Sequence, residues 1–330
     1  KDKYFMGMLG MHGTYQANMA VHNADVILAI GARFDDRITN TPSKFAPKAR
    51  IVHIDVDPAS ISKIIKADIP IVGQVKESLA ALIKEIKRSK IKIDSDSIDS
   101  WNTQIALWRE MHGLDHDLYL QKNKSKMILP QVVIQELYHA TKGNAYVTSD
   151  VGQHQMFVAQ YYHFNKPRRW INSGGLGTMG FGLPAAIGVK LAFPKREVVC
   201  VTGEGSIQMC IQELSTCLQY NLPIKIININ NQALGMVRQW QDMNYGGRHS
   251  ASTYSDSLPD FVKLAKSYGH VGMKVTKQSQ LKSTFEKTFA MKDQLVFVDV
   301  YVDPDEHVYP MLVAPNGSMK DMWIKKNTKA

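Results

Sequence analysis

Gly203-Glu204-Gly205-Ser206 closes the apolar run 198–201, and Asn230-Asn231 closes a second, mostly apolar run, 224–229. A carboxylate in a Gly-acid-Gly turn and a side-chain amide at the next turn both offer oxygen. Oxygen suits Mg2+, which usually combines one or two carboxylates with phosphate oxygens and water. At two strand ends, such a pair can hold a divalent cation and a diphosphate between them. The interval from Glu204 to Asn231 has room for a turn, a helix over 207–220 and a second strand. In an open α/β sheet, ligands sit at the carboxyl ends of such strands. A helix opened by Gly205 and Ser206 would turn free N–H groups and a hydroxyl towards an anion. Alone, Glu204 would be a solvent-exposed turn acid and Asn230-Asn231 an ordinary strand-end turn; spacing and flanks together favour the cofactor reading.

This span resembles the thiamine diphosphate motif, with Glu204 standing where that family has Asp. Its flanks are Val151-Gly152-Gln153-His154-Gln155-Met156, Ser173-Gly174-Gly175-Leu176-Gly177-Thr178-Met179-Gly180 and Leu234-Gly235-Met236-Val237-Arg238-Gln239-Trp240. Further motifs are Met11-His12-Gly13-Thr14, Gly31-Ala32-Arg33-Phe34-Asp35-Asp36-Arg37 and His307-Val308-Tyr309-Pro310-Met311. In this order they are similar to the catalytic large subunits of the acetolactate synthase (acetohydroxyacid synthase) family, and the similarity covers nearly the whole chain.

The resemblance implies thiamine diphosphate, Mg2+ and FAD as cofactors. Glu204, Asn231 and the backbone carbonyl of Ala233 would ligate the metal. Gln153, His154, Gly177, Gly205, Ser206 and Asn231 would meet thiamine diphosphate, and Met179 would wedge beneath its bend. Met236 would lie close to the reacting carbon, and Trp240 would form the wall against a second 2-oxo acid. Arg37 would pair with that acid's carboxylate, because a guanidinium meets a planar carboxylate bidentately. Outside this context Met179 reads as a core methionine, Trp240 as an amphipathic surface contact and Arg37 as a surface residue paired with Asp36. Met11, His12, Gly13, Gly31, Arg33, Asp55 and Val56 match positions that hold FAD, while Gln74 stands where the family has Asp after Gly73. No GxGxxG fingerprint stands among residues 1–89. The flavin is expected to be structural, because condensing two 2-oxo acids involves no net redox change.

The activity so implied is decarboxylation of pyruvate and its condensation with pyruvate or 2-oxobutyrate, on the route to valine, leucine and isoleucine. The implied partners are a second large subunit, a small regulatory subunit and the 2-oxo acid substrates. The alternatives are another thiamine-diphosphate carboligase, a pyruvate oxidase or a non-catalytic cofactor-binding remnant. Trp240 and Arg37 together favour an acceptor 2-oxo acid. The chain begins close to a motif and without Met, so an N-terminally truncated fragment is expected, inert by itself. In the family, the Glu that meets the pyrimidine ring comes from the N-terminal domain of a partner subunit.

The elements that must position these residues alternate along the chain. Over 128–303, helices at 132–138, 183–191, 261–268 and 280–289 interleave with strands at 145–148, 198–201, 224–229, 270–275 and 295–302. Such alternation predicts a mostly parallel α/β sheet covered on both faces, the thiamine-diphosphate-binding domain. Over 1–89, strands at 26–30 and 51–55 and helical spacing of Leu79, Leu82, Ile83 and Ile86 predict αβ units. They are too few for a complete doubly wound domain; by the resemblance they are the second half of a central domain of FAD type. Residues 90–127 are polar and charged around a possible helix at 101–109 and read as a linker. The tail 304–330 has little periodicity and is expected to fold back over the site or a neighbouring subunit.

Composition sets the outer bounds. The 330 residues are 44% hydrophobic and 21% charged, as in ordinary globular domains. No run approaches the roughly 18 apolar residues of a membrane span, and no signal peptide is visible, so the cytoplasm is the expected location. The formal charge of +10 is spread over the chain without a basic stripe interleaved with aromatics; nucleic-acid binding is not expected. Cys200, Cys210 and Cys217 lack metal-ligand spacing and read as reduced, packed thiols.

Overall fold

Short runs of β-branched and aliphatic residues become the strands, and their connections are long enough for helical crossovers. The computed structural model describes residues 2–121, 127–254, 256–325 and 328–329. They fall in two compact units, Asp2–Leu114 with Tyr309–Ala330, and Asp115–Val308.

In the first unit, α1 (Tyr15–Asn23) is capped by Thr14, whose hydroxyl accepts from Ala17 N–H at 3.3 Å. β1 (Val26–Ile30), the single turn α2 (Asp36–Thr39), β2 (Arg50–Asp55) and β3 (Ile69–Val72) follow, and the strands make a parallel sheet in the order β1-β2-β3. Ile27 and Ala29 face the core, whereas Val26, Leu28 and Ile30 on the other face of β1 are exposed. α3 (Val75–Ser89) covers the helical spacing noted around Leu79–Ile86, and α4 (Ser95–His112) packs on α1, with Trp101 and Trp108 edge to face at 5.6 Å.

The second unit starts with α5 (Pro130–Thr141), β4 (Tyr146–Ser149), α6 (Gln153–Tyr161) and β5 (Trp170–Asn172). It continues through α7 (Gly182–Ala192), β6 (Val198–Gly203), α8 (Glu204–Ile207), α9 (Glu213–Gln219) and β7 (Lys225–Asn230). Then come α10 (Gly235–Asn244), α11 (Phe261–Ser267), β8 (Val271–Val275), α12 (Gln278–Ala290) and β9 (Val296–Tyr301). The sheet order is β5-β4-β6-β7-β9-β8, and every pairing is parallel. β6 and β7 are buried on both faces, which is why they read as near-continuous apolar runs. Val198, Cys200, Ile224, Ile226 and Phe297 face a core shared with α7, α9 and α11. The alternate residues point to the opposite face, where α5, α6 and α12 pack on one another. The α/β architecture with parallel sheets is thus present in both units.

Three local features differ from expectation. The helix expected over 207–220 is split into α8 and α9, and i→i+3 turns such as Cys210 N–H to Ile207 C=O bridge them. This tighter winding still buries Ile207, Cys210, Leu214 and Cys217 in one core. The segment read as a linker is helical as α4, from Ser95, and residues to Leu114 belong to the first unit; 122–126 lie outside the described residues. The tail joins the first unit through β10 (Met311–Leu312), β11 (Met322–Lys325) and β12 (Thr328–Lys329), an antiparallel sheet, and Leu312, Met319 and Met322 enter its core. Short strands with so few residues leave no periodicity to read.

Candidate cofactor site

Between β4 and β6 the direction of winding reverses: β5 lies to one side of β4, and the chain then returns to β6 on the other. Crevices at such switch points collect ligands. The turn after β4 supplies Val151, Gly152, Gln153 and His154; the turn after β6 supplies Glu204, Gly205 and Ser206; the turn after β7 supplies Asn231, Ala233 and Leu234. Together with Met179, Met236 and Tyr254 they enclose a cavity of about 120 Å3.

Glu204 is 1% exposed, and its Oε1 accepts from Ala233 N–H at 2.8 Å. The same N–H reaches Asn231 Oδ1 at 3.2 Å, so the three expected metal-binding residues lie side by side. Burial pushes the Glu204 carboxyl up to about 7, against the pull of surrounding backbone N–H groups, and Asp299 adds repulsion. A buried acid so displaced gains from a cation. One carboxylate, one amide oxygen and a neighbouring carbonyl form a hard-oxygen set that fits Mg2+ with phosphate and water completing the shell. Among the described residues no cluster of His, Cys, Asp and Glu offers a metal site made from side chains alone.

The walls also fit an anionic cofactor. His154 is buried, which pushes its ring down to about 3 and keeps it neutral, and its Nε2 has no hydrogen-bond partner. A Cβ on Gly203 or Gly152 would come within 2.8 Å or 2.7 Å of the His154 ring. A Cβ on Gly205 would meet the Tyr254 hydroxyl at 2.5 Å. Ser206 differs from expectation in one respect: its hydroxyl donates to Val151 C=O at 2.9 Å, so it ties two walls together.

Met179 and Met236 both line the cavity, whereas Trp240 is half-buried farther along α10 and lies outside the lining. Gly177 has φ +66° in an exposed loop whose tip, Leu176, is 95% exposed. Asp150 anchors that loop: its Oδ1 accepts from Val151 N–H and Gly180 N–H, each at 2.9 Å. Burial pushes the Asp150 carboxyl above the usual range.

In the first unit, Gly31 (φ +59°) and Asp55-Val56 end the adjacent parallel strands β1 and β2, and a Cβ on Gly31 would meet nothing within 4 Å. Arg33 pairs with Asp35. Met11 N–H donates to Arg37 C=O at 2.7 Å, and Gly13 packs against the Met8 carbonyl. Burial pushes His12 down to about 4. Arg37 is exposed and faces Asp36 at 3.9 Å, the pairing the residue would make without any ligand.

Sequence reasoning passed over Tyr254, Gln239, Asp150, Asp299 and a role for His307. Tyr254 arrives through the isolated bridge Ala233↔Thr253, which has no periodicity. Asp299 accepts from Asn228 and Asn230 at 2.8 and 3.1 Å, so Asn230 faces the sheet and only Asn231 faces the cavity. Parallel-sheet register alone reveals that difference.

The domain family "Thiamine pyrophosphate enzyme, C-terminal TPP binding domain" matches residues 150–300, and "Thiamine pyrophosphate enzyme, central domain" matches residues 1–82. The acetolactate synthase isozyme 3 large subunit of Escherichia coli (strain K12) is 56% identical over 326 residues, 98% of this chain and 56% of that protein. The acetolactate synthase large subunits of Buchnera aphidicola subsp. Schizaphis graminum and Haemophilus influenzae are 57% and 54% identical, over 97% and 98% of this chain and 55% of each relative. The chain thus spans about 56% of the length of the curated relatives it matches. It belongs to the thiamine pyrophosphate enzymes, in the family of the acetolactate synthase large subunits.

Proposed function

We propose that the second unit binds thiamine diphosphate with Mg2+, and that the chain contributes this site to acetolactate synthesis. The observation that carries the reading is the convergence of Glu204, Asn231 and Ala233 at one end of the cavity, with Met179 and Met236 at its walls. Glu204, Asn231 Oδ1 and the Ala233 carbonyl would hold the cation, and Gln153 and His154 would meet the diphosphate beside it. The bound cofactor supplies an electron sink for the carbonyl carbon of a 2-oxo acid. The apolar Met179 and Met236 side chains exclude water around the reacting carbon. Trp240 would select the second 2-oxo acid, pyruvate or 2-oxobutyrate.

The relatives' greater length supports assigning turnover to an assembly that includes groups outside these 330 residues, with a second large subunit and a small regulatory subunit as partners. FAD would lie at the carboxyl ends of β1 and β2, near Gly31, Arg33, Asp55 and Val56, with Met11, His12 and Gly13 as further contacts. The described residues include no helix long and apolar enough to cross a membrane.

Calorimetric titration of the 330-residue chain with thiamine diphosphate tests the site. Binding should require Mg2+, disappear in Glu204→Ala and tighten in Glu204→Asp. Glu204→Ala binding as tightly as the parent chain would overturn the assignment.

A further inference from the structure

Asn231 can serve a cation only by turning its oxygen, and not its NH2 group, towards Glu204. Nothing in a strand-end turn decides between the two. A chain of hydrogen bonds behind the cavity does.

It begins on α10, where Gln239 and Asp242 stand three residues apart on one face. Gln239 is 1% exposed and is read by the main chain of Val308 in both directions: Oε1 accepts from Val308 N–H at 3.0 Å, and Nε2 donates to Val308 C=O at 2.9 Å. Gln239 Oε1 therefore also accepts, at 2.8 Å, from Gln153 Nε2. Independently, the Asp242 carboxylate has only acceptors to offer. His307 Nε2 lies 2.7 Å from Asp242 Oδ2 and must donate there, so a ring with a single N–H has Nδ1 as its acceptor. That Nδ1 lies 3.4 Å from the same Gln153 Nε2. Both routes place the NH2 end of Gln153 away from the cavity and its Oε1 towards Asn231. Asn231 Nδ2 then donates to Gln153 Oε1 at 3.1 Å, which leaves Oδ1 beside Ala233 N–H and Glu204.

We propose that Gln239 and Asp242, the latter acting through His307, are positioning residues that fix Gln153 and thereby oblige Asn231 to present oxygen at the cation site. Neither touches the cavity. The inference rests on the reading of Asn231 as a Mg2+ ligand, and it extends that reading to a support behind the ligand. Partners of this kind typically change metal affinity by about 10- to 100-fold.

The test has two arms on the 330-residue chain. In the first, Mg2+ is titrated at fixed thiamine diphosphate and followed by calorimetry for the parent, Gln239→Leu, Asp242→Asn and the double variant. His249→Ala removes only the outer partner of Asp242, 2.7 Å from its Oδ1. The double variant should lose about 10- to 100-fold in Mg2+ affinity, each single variant less, and His249→Ala should stay near the parent. A double variant as tight as the parent overturns the proposal. The second arm needs no ligand: nitrogen-15 spectra of the histidine-labelled parent should give His307 as the Nε2–H tautomer. An Nδ1–H tautomer or a doubly protonated ring overturns the proposal whatever the variants do, including variants that fail to fold. If the parent binds no Mg2+ with thiamine diphosphate, the cofactor reading fails, while the imidazole spectrum still decides the order of the hydrogen bonds.

Discussion

Glu204 is one methylene longer than the aspartate of the motif it resembles, and its carboxylate turns onto the N–H of Ala233, the residue whose carbonyl would share the cation. The acid, the amide and their spacing were legible because their chemistry is carried by residue type. The residues behind them were not, because buried polar partners are chosen by three-dimensional contact. Asp150 is such a residue. It accepts two backbone N–H groups, one of them from Gly180 next to Met179. Asp150→Ala leaves both half-buried donors without that partner, a cost towards the lower end of the roughly 1–3 kcal/mol of a buried group. Denaturant unfolding should show a loss of that order, with Asp150→Asn losing less because its amide oxygen still accepts. Equal stability of Asp150→Ala and the parent would refute the anchoring role.

At the scale of elements, most helices and strands of residues 128–303 were readable from period and turn residues, and so were β1, β2 and α3, whereas α6, β5 and α10 were not. The break between α8 and α9 was not, because tighter turns preserve the apolar spacing that suggested a single helix. α10 shows how closely an element must approach the site. Gly235, its first residue, lacks a positive φ, yet an added Cβ would land on Gln153 Oε1 and Asn231 Nδ2. The two atoms are joined by a hydrogen bond of 3.1 Å, so Gly235→Ala should drive them apart and break it. Calorimetry should then find thiamine diphosphate binding lost; unchanged binding would contradict this. β7 offers a test by pH. Lys225, its first residue, is buried and donates to Met291 C=O and Gln294 C=O, each at 2.6 Å. Burial pushes its ammonium from 10.5 down to about 8. Between those values the unfolded chain holds the proton more firmly than the folded one, so stability rises with pH across the window, by at most about 1.4 kcal/mol per unit. Lys225→Met should remove that slope from denaturation curves taken at pH 8 to 10.5. A slope that survives the substitution would assign it to another group.

At the scale of the whole molecule, the alternation of elements pointed to parallel-sheet units, whereas the membership of α4 and of the tail strands became clear only from packing. The lining of the candidate site lies wholly between Pro130 and Tyr254, inside the second unit. The same unit holds every cysteine of the chain, and all are buried in one core, where burial pushes Cys210 and Cys217 up to about 12 and Cys200 well above its ordinary value. Thiolate, the reactive form, is thus suppressed by the fold as well as hidden by it. A thiol-modifying dye added to the native chain becomes a clock for the opening of this unit alone, silent on the cysteine-free one. Cys200 lies on β6, the strand that runs straight into Glu204. A ligand that binds only the closed form lowers the open population, so Mg2+ with thiamine diphosphate should slow dye uptake, and dye uptake in Glu204→Ala should ignore them. Fast labelling of all thiols in the unliganded chain, before any unfolding, would show that this core is open to solvent.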